Sequence, residues 1–213
     1  MNIAEQRKWN LPCFEEGLAK VLRTREKRAL SREGKVVAAV LVPLFGKDGD
    51  LHVLLTRRSQ AVEHHKGEIS FPGGRLDDTD PDLVHCALRE TCEEVGVRPS
   101  DVRIAGELDD FYTVATHYLV VPFVGFIPYP YEFSTDSSEI EEVIGVPLGV
   151  FFDPDLRTDE TWMLNNEPFP MISYRWRGHN IWGATARILD HFTGVLTESC
   201  RVLKGCDGPE RTQ

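Results

Sequence analysis

Between Val36 and Phe45 the chain reads VVAAVLVPLF, a run without charge and without polar–apolar alternation. A strand wetted on one side alternates, whereas a strand covered on both faces reads as a continuous apolar run. The run therefore predicts a buried strand with layers above and below it, and it excludes a sheet with one solvated face. GKDGD, at 46–50, is a turn, and LHVLLT, at 51–56, is the returning strand, which completes a hairpin.

Covering layers are present in the sequence. Leu18, Val21 and Leu22 recur at helical spacing and predict a helix over Phe14–Leu30, with the basic cluster Arg23–Arg28 at its C-terminal end. A second helix is expected over Pro81–Val95. Asp80 is expected to cap its free N–H groups, Pro81 fits the first turn, and Gly96 supplies a left-handed stop. WGATARILDHFTGVL, at 182–196, predicts a third helix. Strands are expected over Arg103–Leu108, Tyr118–Ile127 and Ile140–Pro147, with a late hairpin from Met171–Trp176 and His179–Ile181 around Arg177 and Gly178. Mixed strands and a few helices in one chain predict an α/β sandwich around a mixed sheet. Residues 1–34 are read as a helical extension, 35–197 as one domain and 198–213 as a flexible tail.

The helix at 81–95 carries the chemistry. On a wheel of about 100° per residue, Leu83, Val84, Ala87, Leu88, Thr91 and Val95 share an arc that faces the sheet. Glu90, Glu93 and Glu94 fall on the adjoining arc at i, i+3 and i+4, where side chains are neighbours. Three neighbouring carboxylates repel one another unless hard cations, which prefer oxygen ligands, lie between them. A bare ExxEE pattern is more often a solvated helix face, so the surrounding sequence has to decide.

Bulk properties narrow the partners. A net charge of −10 argues against nucleic acid and acidic membranes. It permits a phosphorylated small molecule bound through divalent cations. No apolar run reaches the roughly 18 residues of a membrane span, and the opening residues lack an apolar signal core. Cys13, Cys86, Cys92, Cys200 and Cys206 form no CxxC pair, which predicts reduced thiols and a cytoplasmic location. His64, His65 and His85 lack a zinc-ligand set. Cys86 and Cys92 read as helical filler, and Trp182 and Phe192 as core.

The decisive context is GRLDDTDPDLVHCALRETCEEVGV, Gly74 to Val97, preceded by Phe71, Pro72 and Gly73. It resembles the Nudix box, a glycine followed at a distance by RExxEExG and an apolar residue. Two departures are visible: Asp80 stands where the box has Glu, and the spacing from there to Arg89 is one residue longer. That spacing is similar to the Nudix branch acting on coenzyme A. LLTRRS at 54–59, then Gly67 and FPGG at 71–74, also resemble that branch, as do PFVG at 122–125, EIEEV at 139–143 and IWGAT at 181–185. Glu63 replaces an arginine of the branch signature. The likeness runs from about Lys35 to Phe192.

The resemblance implies a Nudix-like α/β/α sandwich with a mixed sheet and a magnesium-dependent pyrophosphohydrolase, with manganese as the alternative metal. It implies hydrolysis of coenzyme A or acyl-coenzyme A to 3′,5′-ADP and (acyl-)4′-phosphopantetheine. ADP-ribose, nucleotide sugars or nucleoside triphosphates are the alternative substrates, and a non-catalytic Nudix-fold binding module is a third reading. Glu90 and Glu94 are the implied principal metal ligands, assisted by Glu93 and the Gly74 carbonyl. Arg89 is expected to fix one of these carboxylates. Glu93 and Glu139 are the two candidates for general base, and Arg57, Arg58 and Lys66 are candidates for the phosphates. A homodimer is compatible with the sequence.

Overall fold

A computed structural model describes residues 11–61, 66–113, 118–164 and 167–199. The apolar run forms β1 (Val36–Lys47) and turns at Asp48 and Gly49, both at positive φ, into β2 (Asp50–Arg58). Two positive-φ residues in succession suit a tight hairpin. On its other side β1 pairs in parallel with a later strand, Tyr118–Phe126, so the sheet is mixed. In chain order the remaining strands of this sheet are β3 (Ile69–Ser70), β4 (Gly73–Arg75), β5 (Arg103–Glu107), β6 (Phe111–Tyr112), β7 (Tyr118–Phe126) and β8 (Ile140–Pro147). β4 pairs with β1, β8 with β2, and β5 and β6 with β7.

Both faces of β1 are covered, as its composition requires. Ala39 and Leu41 pack with Val121 and Phe123 against Leu83, Cys86 and Ala87 of α2 (Leu83–Val95). Ala38, Val42 and Leu44 point the other way into a larger core. That core contains Phe14, Leu18 and Leu22 of α1 (Leu11–Thr24) and Ile188, Leu189 and Phe192 of α3 (Gly183–Glu198). The result is an α/β/α sandwich. Three strands, β9 (Arg157–Leu164), β10 (Glu167–Trp176) and β11 (His179–Trp182), form a second small antiparallel sheet. No described helix is long and apolar enough to cross a membrane.

Two local expectations are corrected, and one strand was not anticipated. First, α1 stops at Thr24 rather than Leu30. The basic residues beyond it serve Asp109 and Asp110 instead of a helix terminus. Arg25 Nη1 lies 2.6 Å from Asp109 and Lys27 Nζ 2.9 Å from Asp110, while the N–H groups of Arg28 and Leu30 donate to the same two carboxylates. These bonds satisfy the backbone in an extended path. Second, α2 is capped by Asp82, which accepts from the His85 N–H at 2.9 Å, and not by Asp80. Asp80 is engaged elsewhere. The unanticipated strand is β9. Its sequence RTDETWML is largely exposed and polar, so no apolar period marks it.

Candidate active site

Gly96 ends α2 in the left-handed conformation, its N–H bonded to the Cys92 carbonyl at 2.9 Å. This cap fixes the last turn, which carries Glu93 and Glu94. Glu93 is exposed and Glu90 half-buried, but Glu94 is only 5% exposed. Glu94 therefore lies within the buried stripe of the helix, deeper than the core edge expected from the wheel.

Burial makes Glu94 chemically unusual. Its pKa is pushed up to about 8, chiefly by loss of solvent, although the nearby Arg58 and a hydrogen bond with the Gly73 backbone pull the other way. Arg58 Nη1 is 3.8 Å from its Oε1. Its Oε2 is buried and has no hydrogen-bond partner. An unpartnered buried carboxylate oxygen is costly. Glu90 is also raised, mainly by burial. Its carboxyl group lies against the backbone of β4: a Cβ on Gly74 would meet Glu90 carboxyl atoms at 2.4–2.5 Å. Glycine is what leaves the Glu90 carboxylate in this place, since the carboxylate occupies the space a side chain would take.

Arg89 organises this cluster. Its fork grips Asp80 with Nε and Nη2, both at 2.9 Å. Its Nη1 donates to Glu90 at 2.9 Å and Glu93 at 3.0 Å, and Nη2 also reaches the Arg75 carbonyl at 3.3 Å. The Asp80 side chain is almost fully covered, and the Arg89 hydrogen bonds hold its pKa down at about 2. Asp80 therefore anchors Arg89, which orients Glu90. Asp80, expected only as a cap, instead holds the arginine expected to orient the glutamates. The signal was its place at the box acid, nine residues before the arginine.

Among the described residues no three His, Cys, Asp or Glu side chains stand together as a ready-made metal cluster. The reason is visible: Arg89 draws Glu90 and Glu93 to itself, while Glu94 faces Gly73 and Arg58. The donor set nevertheless suits a hard divalent cation. It offers a buried oxygen without a partner, a second carboxylate pressed on a glycine backbone, and the Gly74 carbonyl close by. That carbonyl lies in the β1–β4 ladder opposite Ala39 and also accepts a long contact, 3.6 Å, from the Cys86 thiol, which leaves a weakly used lone pair. Burial pushes Cys86 up to about 11, which makes it inert filler.

The remaining candidates are spread around this centre. Arg57 sits on β2 and is held by Glu141 at 3.2 Å and Glu142 at 3.0 Å, so a phosphate would have to displace both. Arg58 points toward Glu94, and its Nε is buried without a partner. Lys66 is exposed. Glu139 is exposed at the entry to β8, tied by its carbonyl to the Ser59 N–H at 2.7 Å, and close enough to raise Glu94 electrostatically. Glu63, His64 and His65 lie outside the described residues.

Comparison with known proteins identifies the family. "Nudix hydrolase 15, mitochondrial" of Arabidopsis thaliana is 35% identical over 193 residues, spanning 87% of this chain and 65% of its own length. "Peroxisomal coenzyme A diphosphatase NUDT7" of Mus musculus is 34% identical over 139 residues, 65% of this chain and 58% of its own. The chain thus spans less than two thirds of either relative. The crystal structure of a MutT/nudix family protein from Enterococcus faecalis superposes with a TM-score of 0.50 at 16% identity, covering 85% of this chain and 71% of that one, a likeness of fold. The NUDIX domain model matches residues 35–164, more than half of the sequence, and the chain belongs to the NUDIX domain family.

Proposed function

We propose that the chain hydrolyses the diphosphate linkage of coenzyme A or acyl-coenzyme A, using a divalent cation held by Glu90 and Glu94. The observation that carries this reading is the buried Glu94 oxygen without a partner, one helical turn from a second carboxylate lodged on Gly74. The choice of coenzyme A is supported by the box spacing and by the likeness to the murine coenzyme A diphosphatase. Magnesium is the preferred ion, because it binds one or two carboxylates and leaves sites for water and substrate phosphate. When bound, such an ion polarises a phosphoryl oxygen and lowers the pKa of water.

The side chains divide the remaining work. Glu90 and Glu94 supply ligand charge, and the Gly74 carbonyl a neutral oxygen. Arg89, fixed by Asp80, keeps Glu90 aimed and holds Glu93 beside it. Glu139 is the better candidate for general base, since Glu93 is tied to Arg89. Glu139 takes the proton as the water oxygen bonds to phosphorus. The P–O bond to the bridging oxygen breaks, and the leaving phosphate keeps the electron pair. Arg58 and Lys66 would receive phosphate oxygens. The buried and half-buried thiols Cys86 and Cys92 suit a reducing compartment, which we take to be the cytoplasm. The unit responsible is residues 35–197, with 1–34 as a helical extension.

Incubation with magnesium and coenzyme A is expected to release 3′,5′-ADP. Its absence, with ADP-ribose cleaved instead, would move the assignment to another Nudix substrate.

Metal affinity should depend on pH in a definite direction. A carboxyl raised to about 8 in the folded protein holds a proton there that the unfolded chain releases near 4.5. Its contribution to stability is full below 4.5 and is lost as pH rises through 8. A cation needs the ionised form, so binding displaces a proton below pH 8. The rise in Tm on adding magnesium should therefore grow between pH 6 and 8 and level off above. A magnesium effect constant from pH 6 to 9 would contradict this ligand assignment.

A further inference from the structure

A second group of charged side chains lies away from the glutamates. Arg187, on α3, is half-buried with its guanidinium carbon 5.7 Å from the ring centres of both Phe111 and Phe169. One of its nitrogens donates to the Tyr112 carbonyl at 3.4 Å. Lys35 Nζ lies 5.3 Å over the Tyr112 ring, and the Tyr112 hydroxyl donates to the Ser31 carbonyl at 2.6 Å. That bond brings the segment between Arg28 and Lys35 onto the same edge. Arg28 is near enough, with burial, to lower the Arg187 pKa.

Among the described residues no carboxylate pairs with the side chains of Arg28, Lys35 or Arg187. The acids nearby are committed: Asp109 to Arg25 and the Arg28 N–H, Asp110 to Lys27 and the Leu30 N–H. Arg28 and Lys35 are exposed and Arg187 is half-buried, so in a chain of net charge −10 this edge is a local cluster of positive charge open to an anion from solution. Arginine forks held on aromatic rings are preorganised for a phosphate.

The sheet relates this group to the glutamates. Phe111 pairs with Val120, Val120 with Ala38, and Ala38 with Arg75, next to Gly74. Three inter-strand steps separate them by about 14 Å. That span suits a ribose together with the reach of an arginine side chain. We propose that Arg28, Lys35 and Arg187 form a subsite for a phosphomonoester on the ribose of the substrate, remote from the diphosphate. The substrate class rests on the reading given under Proposed function; the 3′-phosphate of coenzyme A is the group that fits.

Binding separates the two ideas. Calorimetric titration of the protein in chelator with 3′,5′-ADP and with AMP should show about ten- to a hundred-fold tighter binding of 3′,5′-ADP. Arg187→Gln should cut that preference by about tenfold, and so should Arg28→Gln at an exposed loop position where folding is not at stake. The ratio of kcat/KM for coenzyme A over dephospho-coenzyme A should fall in parallel. Equal affinity for the two nucleotides in the unmodified protein, or a preference retained in both variants, would overturn the subsite. A preference lost in both variants, in a protein that cleaves no diphosphate, would leave the subsite standing and remove the hydrolase reading instead.

Discussion

Glu94→Gln is expected to lower turnover by about a thousand-fold or more while leaving the folded protein intact. The first half follows from the several kcal/mol of charge stabilisation a cation supplies in the transition state. An amide keeps the shape of the side chain but loses ligand charge. The second half follows from burial. Glu94 is 5% exposed and its charged form is disfavoured there, so a neutral isostere removes a penalty in the metal-free protein. Thermal unfolding in chelator should give a Tm equal to or above that of the unmodified chain. Full turnover in this variant would rule out Glu94 as a ligand, and a collapse of Tm would show its role to be structural.

The same substitution at two adjacent glycines should have opposite consequences. A Cβ at Gly73 would lie 2.4 Å from the Ala39 carbonyl oxygen and 2.6 Å from the Val40 Cα, at a φ of 151°. Those neighbours are backbone atoms of the central strand and cannot yield. Strain and overpacking together put the cost of Gly73→Ala at about 2–6 kcal/mol, enough to unfold much of a marginally stable domain. At Gly74 the obstacle is the end of the Glu90 side chain, which can swing away. Gly74→Ala should therefore fold, with a Tm near that of the unmodified chain, but lose most of its activity because Glu90 is displaced. Urea melts and initial rates on the two variants check this contrast. A stable Gly73→Ala protein, or a fully active Gly74→Ala one, would contradict it.

Much of this arrangement was legible in the order of residues, for physical reasons that can be named. The uninterrupted run at 36–45 required cover on both faces, and Ala39 and Leu41 indeed face α2 while Ala38 and Val42 face α1 and α3. Gly96 marked the end of the glutamate-bearing helix because few other residues adopt its left-handed backbone. Long-range partnerships were not legible. Nothing in Arg23–Arg28 indicates that Asp109 and Asp110 wait on another element, so the first helix was read too long. Asp80 and Asp82 are equally good caps by type, and only the Arg89 fork decides between them. The depth of Glu94 depends on how α2 is rolled on the sheet, and a helical wheel gives no absolute origin for that angle. β9 is held by pairing with β10 rather than by burial, which leaves no periodic trace.

Manganese binding, followed by the loss of its free paramagnetic resonance signal, tests the central claim most directly. A cation seated between Glu90 and Glu94 predicts that the unmodified protein depletes the free-ion signal and that the doubly substituted Glu90→Gln, Glu94→Gln protein does not. Equal depletion by both proteins, or full coenzyme A cleavage by the unmodified protein in excess chelator, would contradict it.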